Sequence, residues 1–340
     1  MAERSWILVE TFRGPAHEPT VLSVGREPKR MKPLGSVIRG GGYLPAVRAM
    51  IFEVAATGNP YRGTTRDGRR QLIGVPLASV GGRVHGVYAW YGPTGEEPPP
   101  RAAAGAWHFN RAADTTNRSD DLFDLYGVPQ KERQYKGYTA EAFPRLTPGL
   151  DEPGALALLV QAKPGTEYQG RKWIVRRDSG EEIYVNLWCR ATEETKADGR
   201  QEVVVRGITQ AAGSAQAASA TWPLVTIEQR VLAAEYQPGW HRAIVDLTAL
   251  TLVRWLDPPM PGIAWEISAP HKPAIHRADL RHAAEMSAQL ATANRAEGSL
   301  RLRTTSGGWQ AVHVAASLML LDQHTTAALV TLSVPSREQG

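Results

Sequence analysis

A short acidic helix that ends at a glycine is predicted by the run Arg118-Ser119-Asp120-Asp121-Leu122-Phe123-Asp124-Leu125-Tyr126-Gly127. A strand beginning at Trp107 leads into this helix, and more helix follows it. Three strands then form a meander, with turns at 178–180 and 198–199; they are predicted at Arg171 to Arg177, Ile183 to Ala191 and Val203 to Thr209. This order of elements defines one compact antiparallel module.

The same closing pattern occurs a second time, between about His241 and Val334. A turn is expected at 306–308 and another near Asp322, and the strands are predicted at Ser299 to Thr304, Trp309 to Leu321 and Ala327 to Val334. A chain that contains one module twice is an array of similar domains. The residues outside the two copies therefore decide what else the protein contains.

Length and composition divide the chain into three domains. With 340 residues, of which 42% are apolar and 21% charged, the chain can bury two or three separate cores. The segment 96–105 contains a proline run that neither a helix nor a central strand accommodates, and 211–220 is low in complexity without large apolar residues. We therefore predict domains at residues 1–100, 101–212 and 221–335.

The last domain is predicted to begin with a short amphipathic helix. Thr226-Ile227-Glu228-Gln229 forms a capping box, and apolar residues recur at helical spacing after it. Pro238-Gly239 ends the segment. We expect this helix to lead from the second connector into the last sheet.

Cysteine content and hydropathy restrict the class of protein. The single cysteine, Cys189, excludes an intrachain disulfide framework and a cysteine-based zinc site. The N-terminus has no basic segment followed by a long apolar one, and no stretch of about 18 apolar residues occurs. These features predict a soluble cytoplasmic protein that does not enter a membrane.

The net charge of +5 is concentrated in the first 100 residues. Two predicted loops carry much of it; one holds Arg26, Lys29, Arg30, Lys32 and Arg39, and the other holds Arg62, Arg66, Arg69 and Arg70. Nucleic-acid modules normally combine such charge with a reading helix or exposed aromatic residues, which neither loop has. We interpret the loops as solvated and expect no nucleic-acid partner, with a basic binding patch as the alternative.

The first domain resembles GAF domains. A helix is predicted over Tyr43 to Ala56, followed by strands at Gln71 to Val80 and Val84 to Tyr91 that flank a two-residue turn, Gly81-Gly82. The run from Gly74 to Gly92 is similar to the central hairpin of that family. The resemblance implies a GAF-like sensor fold without indicating a ligand.

The two repeated modules resemble PAS domains. The middle copy matches in its Trp107 strand, its acidic helix run, the turn residues Asp178-Ser179-Gly180 and the closing Gly207-Ile208-Thr209. It departs from the family where Thr147 to Asp151 replaces the usual start of a helix. In the last copy, His276-Arg277-Ala278-Asp279 occupies the position of that helix start. The resemblance implies an α+β chain of three small domains, each an antiparallel sheet with short helices on its faces.

One strand of the middle module separates a core face from a second face. Its apolar side chains face a cavity between sheet and helices that is either a ligand site or filled; they are Ile183, Val185, Leu187 and Cys189. Tyr184 and Trp188 lie on the other face, where they either contact a neighbouring domain or partner, or cover the edge of their own domain. Both alternatives remain open at this stage.

No catalytic, cofactor-binding or metal-binding residues are predicted. Cys189 lies in the middle of an apolar strand, where a thiol behaves as a small core residue with a raised pKa. His271, His276 and His282 are spaced so that no two imidazoles share a helical face as ligands would, which indicates exposed or capping histidines. A haem ligand at His282 is kept as a minor hypothesis, by resemblance to haem-binding PAS domains.

We expect the three domains to use the whole chain and to leave no residues for an effector. The chain thus resembles a sensor-only GAF-PAS-PAS protein of an actinobacterial type, and the resemblance implies a signalling scaffold without enzymatic activity. Its expected partners are a small ligand, a separate effector protein and a second copy of the chain. An enzyme with a site at a domain boundary, and an anion-binding module that uses the basic loops, are the alternatives.

Overall fold

The computed structural model of the protein describes residues 4–14, 17–38, 42–147, 151–196, 198–215, 234–323 and 325–335. It contains three antiparallel sheets, and each is built from one continuous part of the chain with short helices packed on it. The α+β architecture of three domains that the sequence predicts is therefore confirmed. Among the described residues no helix is long and apolar enough to cross a bilayer.

The N-terminal domain has a six-stranded sheet in the order β3-β2-β1-β6-β5-β4. Its strands are β1 (Ile7–Glu10), β2 (Thr20–Val24), β3 (Glu27–Pro33), β4 (Tyr61–Thr64), β5 (Arg70–Ala78) and β6 (Val84–Pro93), and its helices are α1 (Leu34–Val37) and α2 (Leu44–Thr57). Helix α2 buries Val47, Met50, Ile51 and Val54 against the sheet and ends at Gly58, whose φ of 71° an L residue rarely adopts. The predicted helix at 43–56 is confirmed.

The hairpin between β5 and β6 differs from the prediction. Strand β5 ends at Ala78 rather than Val80, because a bulge between Leu77 and Ala78 shifts the register of the pair. The loop is closed by Ser79 N donating to Arg83 O at 2.8 Å, so five residues make the turn and the predicted two-residue turn is wrong. Gly81 and Gly82 still supply its positive φ angles, 98° and 85°.

The two basic clusters of the N-terminal domain do not form one surface. Arg26, Lys29, Arg30 and Lys32 belong to the β2–β3 hairpin, and the cluster from Arg62 to Arg70 belongs to the β4–β5 hairpin. Strands β3 and β4 are the opposite edges of the sheet, with four strands between them. Arg39 lies outside the described residues.

The middle domain has a seven-stranded sheet in the order β10-β11-β12-β13-β7-β8-β9. Its strands are β7 (Ala104–Asn110), β8 (Thr115–Arg118), β9 (Lys136–Tyr138), β10 (Leu146–Thr147), β11 (Glu167–Arg176), β12 (Glu182–Thr195) and β13 (Gln201–Ser214), and its helices are α3 (Asp120–Tyr126) and α4 (Glu152–Val160). The acidic run forms α3 because Ser119 caps it, accepting from Leu122 N, and Gly127 ends it with a φ of 71°.

Strand β13 is longer than the sequence pattern predicts. It pairs with β12 as far as Ser214, so the first residues of the predicted connector at 211–220 are strand. Small residues are compatible with this pairing, although they give no apolar alternation for a pattern to detect. The predicted capping box at 226–229 and most of the amphipathic helix lie outside the described residues.

The C-terminal domain has a five-stranded sheet in the order β15-β14-β18-β17-β16. Its strands are β14 (His241–Asp246), β15 (Thr251–Trp255), β16 (Arg295–Arg303), β17 (Trp309–Leu320) and β18 (Thr326–Ser333), and its long helix is α5 (Leu280–Ala293). Counted within the domain, the strand order is second, first, fifth, fourth, third. The first two and last three strands of the middle domain have the same order, β8-β7-β13-β12-β11, and β9 and β10 extend this sheet at its two edges, so the repeat seen in the sequence is a repeat of topology.

The N-terminal and middle domains share one apolar core. Trp188 on β12 is fully buried among Leu8, Phe12, Leu22 and other N-terminal side chains, and its indole N–H donates to Lys29 O at 2.9 Å. The connector between the domains is fixed as well, because Trp6 Nε1 donates to Pro99 O at 2.6 Å. The two domains are packed as one unit.

Buried polar groups complete this interface. Arg190 Nη2 donates to Glu10 Oε1 at 3.0 Å, and both side chains are almost fully buried. Arg206 Nη1 lies 2.8 Å from His85 Nε2; since a guanidinium only donates, this nitrogen accepts and the imidazole is neutral. Burial, and then the charge of Arg206, hold the pKa of His85 well below its usual range.

Replacement of Trp188 by alanine tests this shared core. Because the side chain is fully buried and hydrogen-bonded, we expect Trp188→Ala to lower the free energy of unfolding by about 3–5 kcal/mol in denaturant titrations of the whole chain. Trp240→Ala is the matched control, since Trp240 is 46% exposed and its loss should cost less than about 1 kcal/mol. Equal losses in the two variants would contradict the shared core.

Candidate functional site

The middle domain contains a small apolar cavity between its sheet and its helices. The cavity measures about 60 Å³, well below the roughly 300–1,000 Å³ of typical ligand sites. Of the four side chains predicted to line it, Leu187 and Cys189 do, whereas Ile183 and Val185 are buried in the core beyond its lining. The space is therefore close to a filled core.

Two indole N–H groups beside this cavity are hydrogen-bonded to the protein, whereas Nε and Nη2 of Arg118, which also lines it, are buried without a hydrogen-bond partner among the described residues. Trp107 Nε1 donates to Thr209 Oγ1 at 2.9 Å, and Trp173 Nε1 donates to Asp151 Oδ1 at 2.8 Å. Burial raises the pKa of the Cys189 thiol, so it stays protonated and unreactive. The small volume of the middle cavity, rather than a lack of free donors, is what distinguishes it from a ligand site.

The two residues predicted on the outer face of β12 have different surroundings. Trp188 contacts the N-terminal domain, as described above, and does not cover the edge of its own domain. Tyr184 is half-buried between its strand partners Ile174 and Gly213. Only Trp188 is assigned to the interface by its contacts.

The histidines of the C-terminal domain do not come together. His276 Nδ1 accepts from Ala278 N at 3.2 Å, which makes it a helix cap as predicted. His282 is half-exposed on α5, with Nδ1 4.0 Å from Glu285 Oε2. Over the described part of the chain, no three His, Cys, Asp or Glu side chains are grouped as metal ligands would be.

A larger cavity lies in the C-terminal domain. It measures about 430 Å³, which is within the usual range of ligand sites. Its floor consists of apolar side chains from the sheet, including Ala243, Val314, Val330 and Leu332. The indole rings of Trp255 and Trp265 form another part of the lining. The polar residues that line the cavity are Asp114, Tyr138, Thr251, Lys272 and Arg303.

A long irregular segment covers this cavity. Residues 256–276 form two isolated bridges but no helix and no strand, although segments of this length without regular structure are uncommon and usually functional. Backbone bonds attach the segment to the edge of β16: Ala264 N donates to Arg303 O, and Arg303 N donates to Ala274 O, both at 2.9 Å. We call residues 256–276 the covering segment.

The middle domain supplies part of the cavity wall. Ala113 and Asp114 come from the β7–β8 turn, and Tyr138 and Ala140 come from the end of β9 and the turn after it. Glu141 joins the two parts, because its Oε1 accepts from Tyr138 N at 2.7 Å and from Ile267 N of the covering segment at 2.8 Å. The site is thus composite, and it requires the middle and C-terminal domains together.

Charge is distributed unevenly along the cavity. Lys272 and Arg303 lie at the end where β16 turns into β17, whereas Asp114 approaches the end where β14 turns into β15. Strand register places these turns at opposite ends of the sheet, since His241 and Val314 both pair with Leu332. Asp114 makes one end of the cavity acidic, whereas at the other end the Arg303 guanidinium contacts Trp309 and Gly307, which do not line the cavity.

Asp114 has an electrostatically unfavourable position and an uncommon backbone conformation. Burial raises the pKa of the Asp114 carboxyl to about 6. The nearby Asp246 carboxylate raises this pKa further, whereas the hydrogen bond from the Thr139 side chain lowers it. Its φ of 49° is in the left-handed region. Asp114 also lines a second cavity of about 360 Å³, together with Arg111 and Asp246, whose side chains are 3.6 Å apart. Such strain is common at functional positions.

Sequence reasoning missed this composite site. The only local signal was the length of the covering segment, which has neither helical nor strand periodicity between Trp255 and His276. The wall residues Asp114 and Tyr138 precede that segment by more than a hundred residues, so no local spacing connects them.

Asp114→Asn tests the strain at this position. A carboxyl with a folded pKa near 6 and an unfolded value near 3.8 binds more protons when folded, so it destabilises the protein increasingly as pH rises from about 4 to 6. We expect the free energy of unfolding of the variant to exceed that of the wild type by about 1–2 kcal/mol at pH 7.5, a value reduced for the partial exposure of Asp114. At pH 4 we expect the two proteins to be equally stable. Unfolding titrations at both pH values measure this difference.

Asp198→Asn is the control for this prediction, because Arg200 hydrogen bonds lower the pKa of that exposed carboxyl. It should show no gain in stability at pH 7.5. A pH-independent effect of Asp114→Asn would show that the carboxyl is not strained.

Comparison with known proteins identifies relatives of the whole chain. Three family models match consecutive segments: Rv3651-like, N-terminal, over residues 5–100; Rv3651-like, middle domain, over 103–212; and Rv3651-like, C-terminal domain, over 225–339. None of the curated proteins compared with the chain is similar to it.

Solved structures include a relative of full length. The crystal structure of an uncharacterized protein from Mycobacterium tuberculosis is 30% identical with a TM-score of 0.85, over 98% of this chain and 97% of that chain. A sensory box histidine kinase/response regulator from Burkholderia thailandensis has 15% identity and a TM-score of 0.23, over 39% of this chain and 90% of that one. An RNA-binding light-oxygen-voltage receptor has 11% identity and a TM-score of 0.26, over 68% and 95%.

The last two matches have TM-scores too low to carry an argument. The mycobacterial structure and the three domain models agree along the whole chain. The chain therefore belongs to the Rv3651-like family, and it contains the N-terminal, middle and C-terminal domains of that family in order.

Proposed function

We propose that the protein is a cytoplasmic signal-sensing scaffold that binds a small ligand in its C-terminal domain and passes the signal to a separate effector protein. The observation that carries the proposal is the cavity of about 430 Å³ whose wall is shared by two domains. A ligand there contacts both domains at once. Its binding free energy can therefore favour one arrangement of the pair over another.

Topology supports sensor domains as the units of this scaffold. The strand order second-first-fifth-fourth-third, with short helices on one face, is that of a PAS-like domain; it occurs in the C-terminal domain and, apart from the edge strands β9 and β10, in the middle domain. The N-terminal sheet with its glycine hairpin supports a GAF-like domain. Both kinds of fold form a cavity between sheet and covering elements; here the cavity under the middle-domain helices measures about 60 Å³ and the one in the C-terminal domain about 430 Å³.

Glu141 supplies a direct route from the ligand to the middle domain. Its Oε1 holds both Ile267 N of the covering segment and Tyr138 N of the middle-domain turn. Any movement of the covering segment around a ligand must stretch this shared bond or move the turn with it. The N-terminal domain would follow as well, because it is packed on the middle sheet.

A boundary enzyme is the second candidate, and the cleft at Asp114 is the observation that favours it. A carboxyl with a pKa near 6 suits general base catalysis. However, its neighbours are already engaged, since Asp246 accepts from Thr248 N and pairs with Arg111. We therefore propose binding without catalysis; turnover of a substrate that Asp114→Asn abolishes would favour the enzyme instead.

Leu332→Trp tests ligand binding in the larger cavity. The added ring fills space that is empty, so we expect stability to change by less than about 1 kcal/mol while the site is blocked. The matched change Leu187→Trp enlarges a side chain beside the 60 Å³ cavity and should destabilise by about 1–3 kcal/mol through overpacking. Denaturant titration measures both values.

Mass spectrometry of small molecules released on denaturation completes the test. Wild-type protein should release a compound that the Leu332→Trp variant lacks. If the two proteins release identical compounds in identical amounts, the C-terminal cavity is not the ligand site.

A further inference from the structure

Two histidines lie in the interface between the N-terminal and middle domains. His85 on β6 is fully buried and His108 on β7 is half-buried, and their ring centres are 6.0 Å apart. The two rings come from different domains, so the pair spans the interface. Histidine is the side chain whose charge ordinarily changes between pH 5 and 8, which makes such a pair a place where protons can act on domain packing.

Both rings already accept a hydrogen bond through Nε2. His85 Nε2 accepts from Arg206 Nη1 at 2.8 Å, and His108 Nε2 accepts from Asn117 Nδ2 at 3.1 Å. His85 Nδ1 lies 3.4 Å from Gly207 O, so this nitrogen carries the single proton of the neutral ring. A second proton would have to enter at Nε2, where a donor already points. Protonation of His85 therefore breaks a hydrogen bond that joins the two domains.

The groups that face His85 leave an added positive charge without a partner. Arg206 approaches from β13 and Arg83 from the β5–β6 turn, and both pair with one carboxylate, that of Glu194 on β12. Phe12, which follows β1, presents an uncharged ring whose centre is 5.9 Å from that of His85. One carboxylate thus balances two guanidinium groups, and an imidazolium would add to a cluster that is already positive.

The same groups determine the direction of the pH effect. Burial, and then the charges of Arg206, His108 and Arg83, hold the pKa of His85 well below its usual range. Burial, and then Arg206, Arg83 and Lys196, lower the pKa of His108 to about 4. The separated or unfolded domains bind protons that the packed domains exclude. The packing is therefore at full strength above about pH 7 and weakens as the pH falls below the ordinary histidine value of 6.5.

We propose that the interface between the N-terminal and middle domains is an acid-sensitive joint, in which protonation of His85 and His108 loosens the packing of the N-terminal sheet on β12 and β13. Among the described residues, those that face the two rings all belong to these two domains. The effect is therefore local to this interface. The proposal goes beyond ligand sensing, because it adds protons as a second input and does not depend on the C-terminal cavity.

His85→Gln tests the joint, because the glutamine amide accepts from Arg206 and donates to Gly207 O but does not titrate. Denaturant titration of the whole chain gives the unfolding constant of the N-terminal and middle unit at pH 7.5 and 5.0. We expect the ratio of the wild-type to the variant constant to rise about 30-fold between these pH values, since the wild type gains a proton on unfolding. A packing defect alone would shift this ratio equally at both pH values, and a pH-independent ratio would overturn the proposal.

A second variant and a control accompany this test. His108→Gln should give a smaller rise of about tenfold, because the ring is half-exposed and its charge is partly screened. It keeps the proposal testable if His85→Gln does not fold. His17→Gln is the control at an exposed histidine of the N-terminal domain, and its ratio should stay the same at both pH values.

Amide hydrogen exchange locates the loosening. Wild type and His85→Gln are compared at pH 5.0, where their intrinsic exchange rates are equal, so that differences report opening of the structure. We expect β1, β6, β12 and β13 to exchange about threefold or more faster in the wild type, and β16, β17 and β18 of the C-terminal domain to exchange equally in both. Faster exchange spread evenly over all three domains, or none at the interface strands, would contradict an acid-sensitive joint.

Discussion

Burial of both faces of the middle sheet is the constraint on which the rest of the structure depends. Residues 185–192 of β12 and 204–210 of β13 are all buried, whichever way their side chains point. One face packs on α3 and α4, and the other packs on the N-terminal sheet around Trp188. A sheet with no solvent face needs two partners, so the N-terminal domain completes the middle domain rather than merely preceding it.

Polar residues on the outer face must then find partners inside the interface. Burial lowers the pKa of Arg206 to about 9, and its ion pair with Glu194 and its bond to His85 compensate for lost hydration. Arg190 is paired with Glu10 in the same way, although its buried Nε has no hydrogen-bond partner among the described residues. A shifted docking would leave these charges buried without partners, so they define one register of the two domains.

The sequence predicted those elements whose determinants are local. Helix α3 follows from its acidic first turn and Gly127, and the alternation from Ile183 to Cys189 correctly separated the two faces of β12. Three features were not readable from the local pattern: two depend on distant contacts, and one on a bulge within a hairpin. The partner of Trp188 lies about 160 residues earlier at Lys29, the β5–β6 turn is set by a bulge, and the composite cavity joins Asp114 to the covering segment. Alternation shows that a face is buried but does not identify what covers it.

The shared oxygen of Glu141 bears on how such a protein can evolve. Domains of repeated topology are often treated as cassettes that recombination moves between proteins. Here one carboxylate oxygen joins the covering segment at Ile267 to the preceding domain, and Asp114 and Tyr138 form part of the cavity wall. A transplanted C-terminal domain would therefore lack part of its cavity wall and the acceptor of Ile267 N. Inheritance as an undivided pair is the arrangement that preserves the site.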